Sequence, residues 1–274
     1  MKVLTVISDP DNFGFFRLKA SCAIKGLELV AIVCEQHAFV NNRVKDELLM
    51  DYLAGLDGEE IIMFSDGYDT LLLAGEEEIL KKFYQAGTDL LVSAETNCFP
   101  EKSLVSVYPA CDTPYRYLNC GGFIGRVRAI REFLSLEAAG QDGRHAWSNQ
   151  YVWTLRYLQH THLIKLDVRC DIFCTFYTII SSYPTPDDAK RDHHAYSGIY
   201  SEWFYRNFIV REGRIYNKMT GTWPCNAHFN GVSSLFLDDY PVGTQILYAQ
   251  LTEKRKASLV QVDAHSLQKQ YSKI

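Results

Sequence analysis

The chain has 274 residues, 47% of them hydrophobic and 22% charged, with a formal net charge of −5. That length and apolarity suffice for a sizeable core, which excludes a disordered chain and predicts one folded domain. The negative balance offers no global attraction to phosphate backbones, so nucleic acid is an unlikely partner, and no apolar run approaches the roughly 18–20 residues of a membrane span.

The opening "MKVLTVISD" lacks the apolar core and small-residue cleavage site of a signal peptide, so the chain as given is expected in the cytoplasm. "KVLTVIS" is the first predicted strand; Asp11 is the predicted cap of a helix running to about Ala23, and "GLELVAIVC" is the second strand. Helical spacing through Val44, Leu48, Leu49 and Leu53 follows, then the strand "EEIIMFS", a capped helix in "GEEEILKKFYQAG", and the strand "DLLVSAE". This alternation is the pattern of an α/β protein with a parallel sheet covered by helices.

Further on, "CFPEKSLVSVYP" reads as a loop and "YRYLNCGGFIGRV" as two strand segments around a glycine pair. Helices are expected over about Arg128–Glu137 and Ser148–Gln159, and strands in "HLIKLDV" and "DIFCTFY". "SYPTPDDAKRDHHAYSG" reads as a polar connection, "FIVREGRIYNKM" as a hairpin turning at Glu212–Gly213, and the tail as one helix near Thr244–Leu251. The eight cysteines include no CxxC pair and several sit in strand-like runs, as reduced core thiols would.

The stretch "IIMFSDGYDTLLL" poses the functional question, because Asp66 and Asp69 end a run apolar enough to be buried, where an unpaired charge is costly. Sheets of this kind bind ligands beyond the carboxyl ends of their strands. Gly67 lets the chain turn so that both carboxylates converge, and converging carboxylates suit a hard divalent cation that also holds substrate phosphates. The competing interpretation is a cap and a solvated turn residue. His228, in "TWPCNAHFNG", would make a mixed nitrogen and oxygen site, better suited to manganese than to magnesium or calcium.

"IIMFSDGYDTLLL", "LLVSAETNCFPE", "YRYLNCGGFIG", "LDVRCDIF" and "RIYNKMTGTWPCNAHFNG" resemble, in the same order, successive blocks of the glycosyltransferase domain of the multifunctional procollagen lysyl hydroxylases, as far as about Gly231. The resemblance implies a GT-A-type fold, a Rossmann-like mixed sheet flanked by helices. It would be a single domain over 1–274, with a nucleotide-binding half at 1–95, an acceptor and metal-completing half at 96–240, and a tail at 241–274. It implies Mn2+ held by Asp66, Asp69 and His228, and a UDP-glucose or UDP-galactose donor. Tyr68 would pack on the uracil, Thr5, Val6 and Ser8 would lie by the base and ribose, and Arg43 or Lys45 near the diphosphate.

Other positions follow from residue type. Gly121 and Gly122 would allow close approach of a ligand, Asn119 would bond a sugar hydroxyl, and Glu95 would contact the donor sugar or acceptor. Asn230, Gly231 and Ser233 would face the phosphates. Asn149, with Ser148, stands where the family carries acidic residues; Phe99 replaces a tryptophan, Cys120 a serine and Ser234 a lysine.

The resemblance implies transfer of a hexose to hydroxylysine or galactosyl-hydroxylysine of a collagen-like chain, with retention favoured. A lysyl hydroxylase domain or a second copy would be a partner, and the endoplasmic reticulum lumen the location if the chain is cut from a longer precursor. The alternatives are a catalytically decayed nucleotide-sugar-binding domain and a sugar nucleotidyltransferase.

Overall fold

The computed structural model describes residues 1–257. The first third runs β1 (Lys2–Ile7), α1 (Phe13–Lys25), β2 (Glu28–Val33), α2 (Val44–Leu53), β3 (Ile61–Ser65), β4 (Thr70–Leu72), α3 (Glu76–Ala86) and β5 (Leu90–Glu95). β6 (Tyr117–Arg126) then leads directly into α4 (Val127–Ser135), followed by α5 (Asn149–Gln159), β7 (Lys165–Asp167) and β8 (Phe173–Thr175). The remainder comprises α6 (Pro186–Arg191), α7 (His193–Asn207), β9 (Phe208–Arg211), β10 (Arg214–Asn217), β11 (Asn226–His228), α8 (Ser233–Asp239) and α9 (Val242–Ala257). Of the expected tail, residues 258–274 lie outside the described residues.

The main sheet has the order β2-β1-β3-β6-β5-β7. β1 pairs in parallel with β2 and β3, and β5 with β7, but β6 runs antiparallel between β3 and β5. The sheet is therefore mixed, as the resemblance implied, and not the parallel sheet read from the α/β alternation: the chain between β5 and β6 forms no covering α-helix, so β6 returns in the opposite sense. The glycine pair does not divide it into two strands either. Instead the β5–β6 register slips at Val92/Ser93, a bulge that leaves Cys120–Gly122 unpaired with β5 while Gly122 still faces Ser65 of β3.

Helices cover both faces, as the near-continuous burial of β1, β3, β5 and β6 requires. Leu4, Ile62 and Val92 pack with Leu53 of α2, Phe133 of α4 and Trp153 of α5. Val3, Met63 and Leu91 pack on the other side with Leu18 of α1 and Phe83 of α3. Each fully buried side chain of this size contributes about 1.5–3 kcal/mol, so both layers are held firmly. A second sheet, β4-β11-β8, carries an aromatic cluster of Tyr196, Tyr200, Phe204, Phe229 and Phe236.

Local signals explain most of the boundaries. Asn12, not Asp11, caps α1 by accepting from Gly14 N at 2.8 Å, and Gly26 in the left-handed region ends it. The segment expected to be a polar connection holds α6 and the start of α7: Thr185 caps α6, with Pro186 in its first turn. The hairpin turns at Glu212–Gly213 as expected. All eight cysteines are free, and all but Cys111 are buried. Among the described residues no helix is long and apolar enough to cross a membrane.

Candidate active site

Asp66 follows directly on the carboxyl end of β3, and the four-residue connection 66–69 leads into β4 with Asp69 just before it. Gly67 is needed here for close packing, since a Cβ would stand 2.4 Å from Ile7 Cγ2 and 3.0 Å from Thr5 Oγ1. Ser65 Oγ donates to Thr70 Oγ1 at 2.9 Å, Thr70 Oγ1 donates to the Asp66 carbonyl, and Asn226 Nδ2 donates to Ser65 Oγ at 3.0 Å. These bonds fix β11 in register, with His228 opposite Thr70.

That register brings His228 Nε2 to 3.3 Å from Asp69 Oδ1 and 3.7 Å from Asp66 Oδ2. Three side chains separated by up to 162 positions thus offer ligand atoms all within 4.8 Å of one another. The imidazole is buried, yet neither ring nitrogen makes an aligned hydrogen bond. Orphaned polar atoms at this depth are unfavourable unless something else coordinates them, and one nitrogen with two carboxylates fits a borderline divalent cation.

The charges of this cluster depend on one another. Burial opposes ionisation of Asp69, but His228 and then Lys45 outweigh it and hold the carboxyl below its ordinary range. Burial likewise pulls His228 down, and Asp69, Asp66 and Glu95 overcome it so that the ring titrates above its usual value. Lys45 Nζ lies 2.6 Å from Asp66 Oδ1. The two cationic side chains supply the positive charge that a metal ion would bring.

Beside the cluster opens a cavity of about 1090 Å³, lined by Val6, Ser8, Asn12, Lys45, Asp66, Tyr68 and Asp69 together with Ser234 and Asp239 of α8. The Tyr68 hydroxyl accepts from Ser8 N and Asp9 N, each at 2.7 Å, which fixes its ring in the wall. Thr5 is buried below, its Oγ1 without a hydrogen-bond partner. Arg43 is outside this lining, at the start of α2, with Asp142 Oδ1 3.8 Å away. Ser234 lines the cavity, whereas Ser233 Oγ donates to Asn230 O at 2.8 Å. The sequence reading missed Asn12, Phe39 and Asn42 of the lining; only Asn12 carried a signal, its position as a helix cap.

The glycine pair divides its labour by strand alternation. A Cβ on Gly121 would stand 2.3 Å from His228 Cε1 and 2.7 Å from Asp66 Oδ2, whereas one on Gly122 would meet the Phe173 ring at 2.7 Å. Of the two glycines expected to allow close approach of a ligand, Gly121 therefore faces the site and Gly122 faces the core. Gly231 adopts φ 62° and lies against Tyr177.

Behind the cluster Glu95 is buried and accepts from Asn119 Nδ2 at 3.1 Å, from Gln150 Nε2, and from Asn230 Nδ2 at 3.2 Å. Burial pushes its carboxyl up to about 7, against the hydrogen bonds from Asn119 and Gln150 that favour the charged form. Asn119 also accepts from Gly121 N at 3.0 Å, linking Glu95 to the metal-ligand side. Gln150 went unnoticed in the sequence. Asn149 points elsewhere, donating to Asp46 Oδ1 at 3.4 Å, and Ser148 caps α5 by accepting from Tyr151 N.

A mixed α/β sheet of this order, flanked by helices and carrying a carboxylate pair at the strand ends, is the GT-A-type architecture of glycosyltransferases. The chain belongs to the PLOD GT domain family, whose family model matches residues 1–242. It is 29% identical over 195 residues to the uncharacterized protein R699 of Acanthamoeba polyphaga mimivirus, covering 70% of this chain and 36% of that protein. It is 49% identical over 74 residues to the human multifunctional procollagen lysine hydroxylase and glycosyltransferase LH3, 27% of this chain and 10% of the relative. The matched stretches thus span little more than a third, and a tenth, of these two relatives. A solved structure, a glycosyltransferase involved in glycosylation of the major capsid of PBCV-1, overlaps with a TM-score of 0.45 at 9% identity, covering 89% of this chain and 98% of that one.

Proposed function

We propose that this glycosyltransferase-family chain moves glucose or galactose from a UDP-sugar to a hydroxyl group, with Mn2+ as its cofactor. The acceptor is hydroxylysine or galactosyl-hydroxylysine of a collagen-like protein, and the transfer retains configuration. The observation that supports this reading above others is the convergence of Asp66, Asp69 and an otherwise unpartnered His228 beside the large cavity.

In this reading Asp66, Asp69 and His228 hold the ion, whose bound charge stabilises the diphosphate leaving group as a Lewis acid. Lys45 adds a second positive charge on the cavity side of Asp66. Tyr68, Val6 and Ser8 form the wall against which the uridine rests. Glu95, buried outside the cavity lining, accepts from Asn119, Gln150 and Asn230 and would bear on the transferred sugar or the acceptor through these amides.

One observation favours a second reading, a domain that binds nucleotide sugars without transferring them. Ser148 and Asn149, which replace the family's acidic residues, are committed to a helix cap and to Asp46. Release of UDP from UDP-glucose and UDP-galactose, with Mn2+ and with or without galactosyl-hydroxylysine, decides between them. The proposal expects turnover that Asp69→Asn and His228→Ala abolish while leaving the metal-free melting transition cooperative. Tight Mn2+-dependent UDP binding with no turnover on either donor would leave the binding-domain reading in its place.

A further inference from the structure

A second group of metal-ligating side chains lies where α7 meets α8. His193 Nδ1 is 3.2 Å from both Asp239 carboxylate oxygens, and His194 Nδ1 is 3.3 Å from Asp239 Oδ1. The two rings are 3.9 Å apart between centroids, and the three ligand atoms all lie within 4.8 Å of one another. A tetrahedral ion with bonds of about 2.0–2.1 Å keeps its ligand atoms about 3.3 Å apart. Both nitrogens already stand at that separation from the carboxylate.

The carboxylate is fixed in place. Ser197, one turn beyond His193 on α7, donates to Asp239 Oδ2 at 2.6 Å, and the Asp239 side chain is only 14% exposed. The helices that carry the ligands are locked by Phe236 of α8 packing on Tyr200 and Phe204 of α7, at ring separations of 5.0 and 5.1 Å. Outward the site is open, with His193 45% and His194 80% exposed, so water can complete a coordination shell.

We propose that His193, His194 and Asp239 form a second divalent-metal site, for Zn2+ or a similar borderline ion such as Co2+ or Ni2+. Two imidazoles with one carboxylate disfavour Mg2+ and Ca2+, and the site differs from the Asp66–Asp69–His228 cluster in having two nitrogen donors. Its ion ties the start of α7 to the end of α8, where Asp238 and Asp239 stand in the wall of the donor cavity and Asp238 is paired with Arg17 at 2.7 Å.

The test is calorimetric titration of the full chain with Zn2+ alone, comparing wild type, His194→Ala and His193→Ala/His194→Ala. Expected is loss of one zinc equivalent in the double variant, at least about tenfold weakening in His194→Ala, and weakening of about tenfold in Ser197→Ala, which frees the carboxylate. His194 is exposed enough for its variant to fold, and Zn2+ should raise the melting temperature of wild type more than that of the double variant. The same zinc stoichiometry and affinity in wild type and double variant overturns the proposal, as does a wild type whose zinc binding disappears entirely with Asp69→Asn/His228→Ala. In either case the histidines serve only as hydrogen-bond donors to Asp239. This outcome is independent of sugar transfer, which the UDP-release experiment reads separately.

Discussion

Lys45 on α2 and Asp66 just after β3 form an ion pair of 2.6 Å in the lining of the cavity. Burial works against the Lys45 ammonium, but Asp66 more than compensates and its pKa ends above the ordinary value. The lysine therefore balances a carboxylate that a metal ion would otherwise neutralise. We expect Lys45→Met to lower the metal-free melting temperature, by about 2–4 °C for each kcal/mol lost. Added Mn2+ should stabilise this variant more than wild type, because the cation then replaces a missing charge, while affinity for UDP falls. Equal Mn2+ stabilisation of the two proteins in a thermal-shift series would show that the pair and the metal do not share a charge balance.

Glu95 gives a pH signature. Its folded-state pKa of about 7 lies above its ordinary 4.5, so between these values the folded protein holds a proton that the unfolded chain has released. The associated stability is complete below about 4.5, declines as pH rises towards 7, and stays lost above it, a total on the order of 3 kcal/mol at about 1.4 kcal/mol per pH unit. Glu95→Gln removes this slope. Denaturant unfolding should show the variant gaining on wild type from pH 5 to about pH 8, together with loss of sugar transfer; a constant difference across that range refutes the assignment.

Whereas grouping His228 with Asp66 and Asp69 rested on the resemblance to the family's blocks, the α/β alternation of the first third and the hairpin were legible because local periodicity and turn chemistry encode them. The antiparallel insertion of β6 was not, since pairing partners are a tertiary choice and the strand itself looks the same in either direction. α6 was legible but overlooked: Thr185, Pro186, Asp187 and Asp188 form a standard helix start, and Tyr196, Tyr200 and Phe204 recur at helical spacing in α7. Gln150 and the His193–His194–Asp239 group were beyond reach. Their partners are up to 55 positions away, and a lone amide or histidine pair carries no periodic signal.

Gly121 and Gly122 make a paired test of strand alternation. Gly121→Ala forces a methyl against the buried His228 ring and Asp66, so Mn2+ affinity should fall together with metal-free stability. Gly122→Ala drives the methyl into the Phe173 ring, and the larger effect should be on stability, by about 1–3 kcal/mol. Metal titration alongside denaturant unfolding separates the two; the reverse pattern would mean that the strand is turned over.

Phe99 and Trp147 stay 52% and 47% exposed, with ring centroids 6.5 Å apart at 70°. Gln150 connects Phe99 to Glu95, because its amide donates both to the Glu95 carboxylate and, at 3.5 Å, to the Phe99 carbonyl. Exposed aromatic rings contribute little to folding, but they offer an apolar face to the C–H side of a sugar. On the proposed function this edge receives the acceptor. Trp147→Ala should then raise the acceptor KM by about tenfold, equivalent to roughly 1.4 kcal/mol, without altering donor hydrolysis to water. Phe99→Trp, which restores the larger ring of the resembled family, should lower the KM. An unchanged acceptor KM in Trp147→Ala removes the aromatic edge from the acceptor site, and a parallel loss of donor hydrolysis would instead assign Trp147 to holding α5 and Gln150 in position.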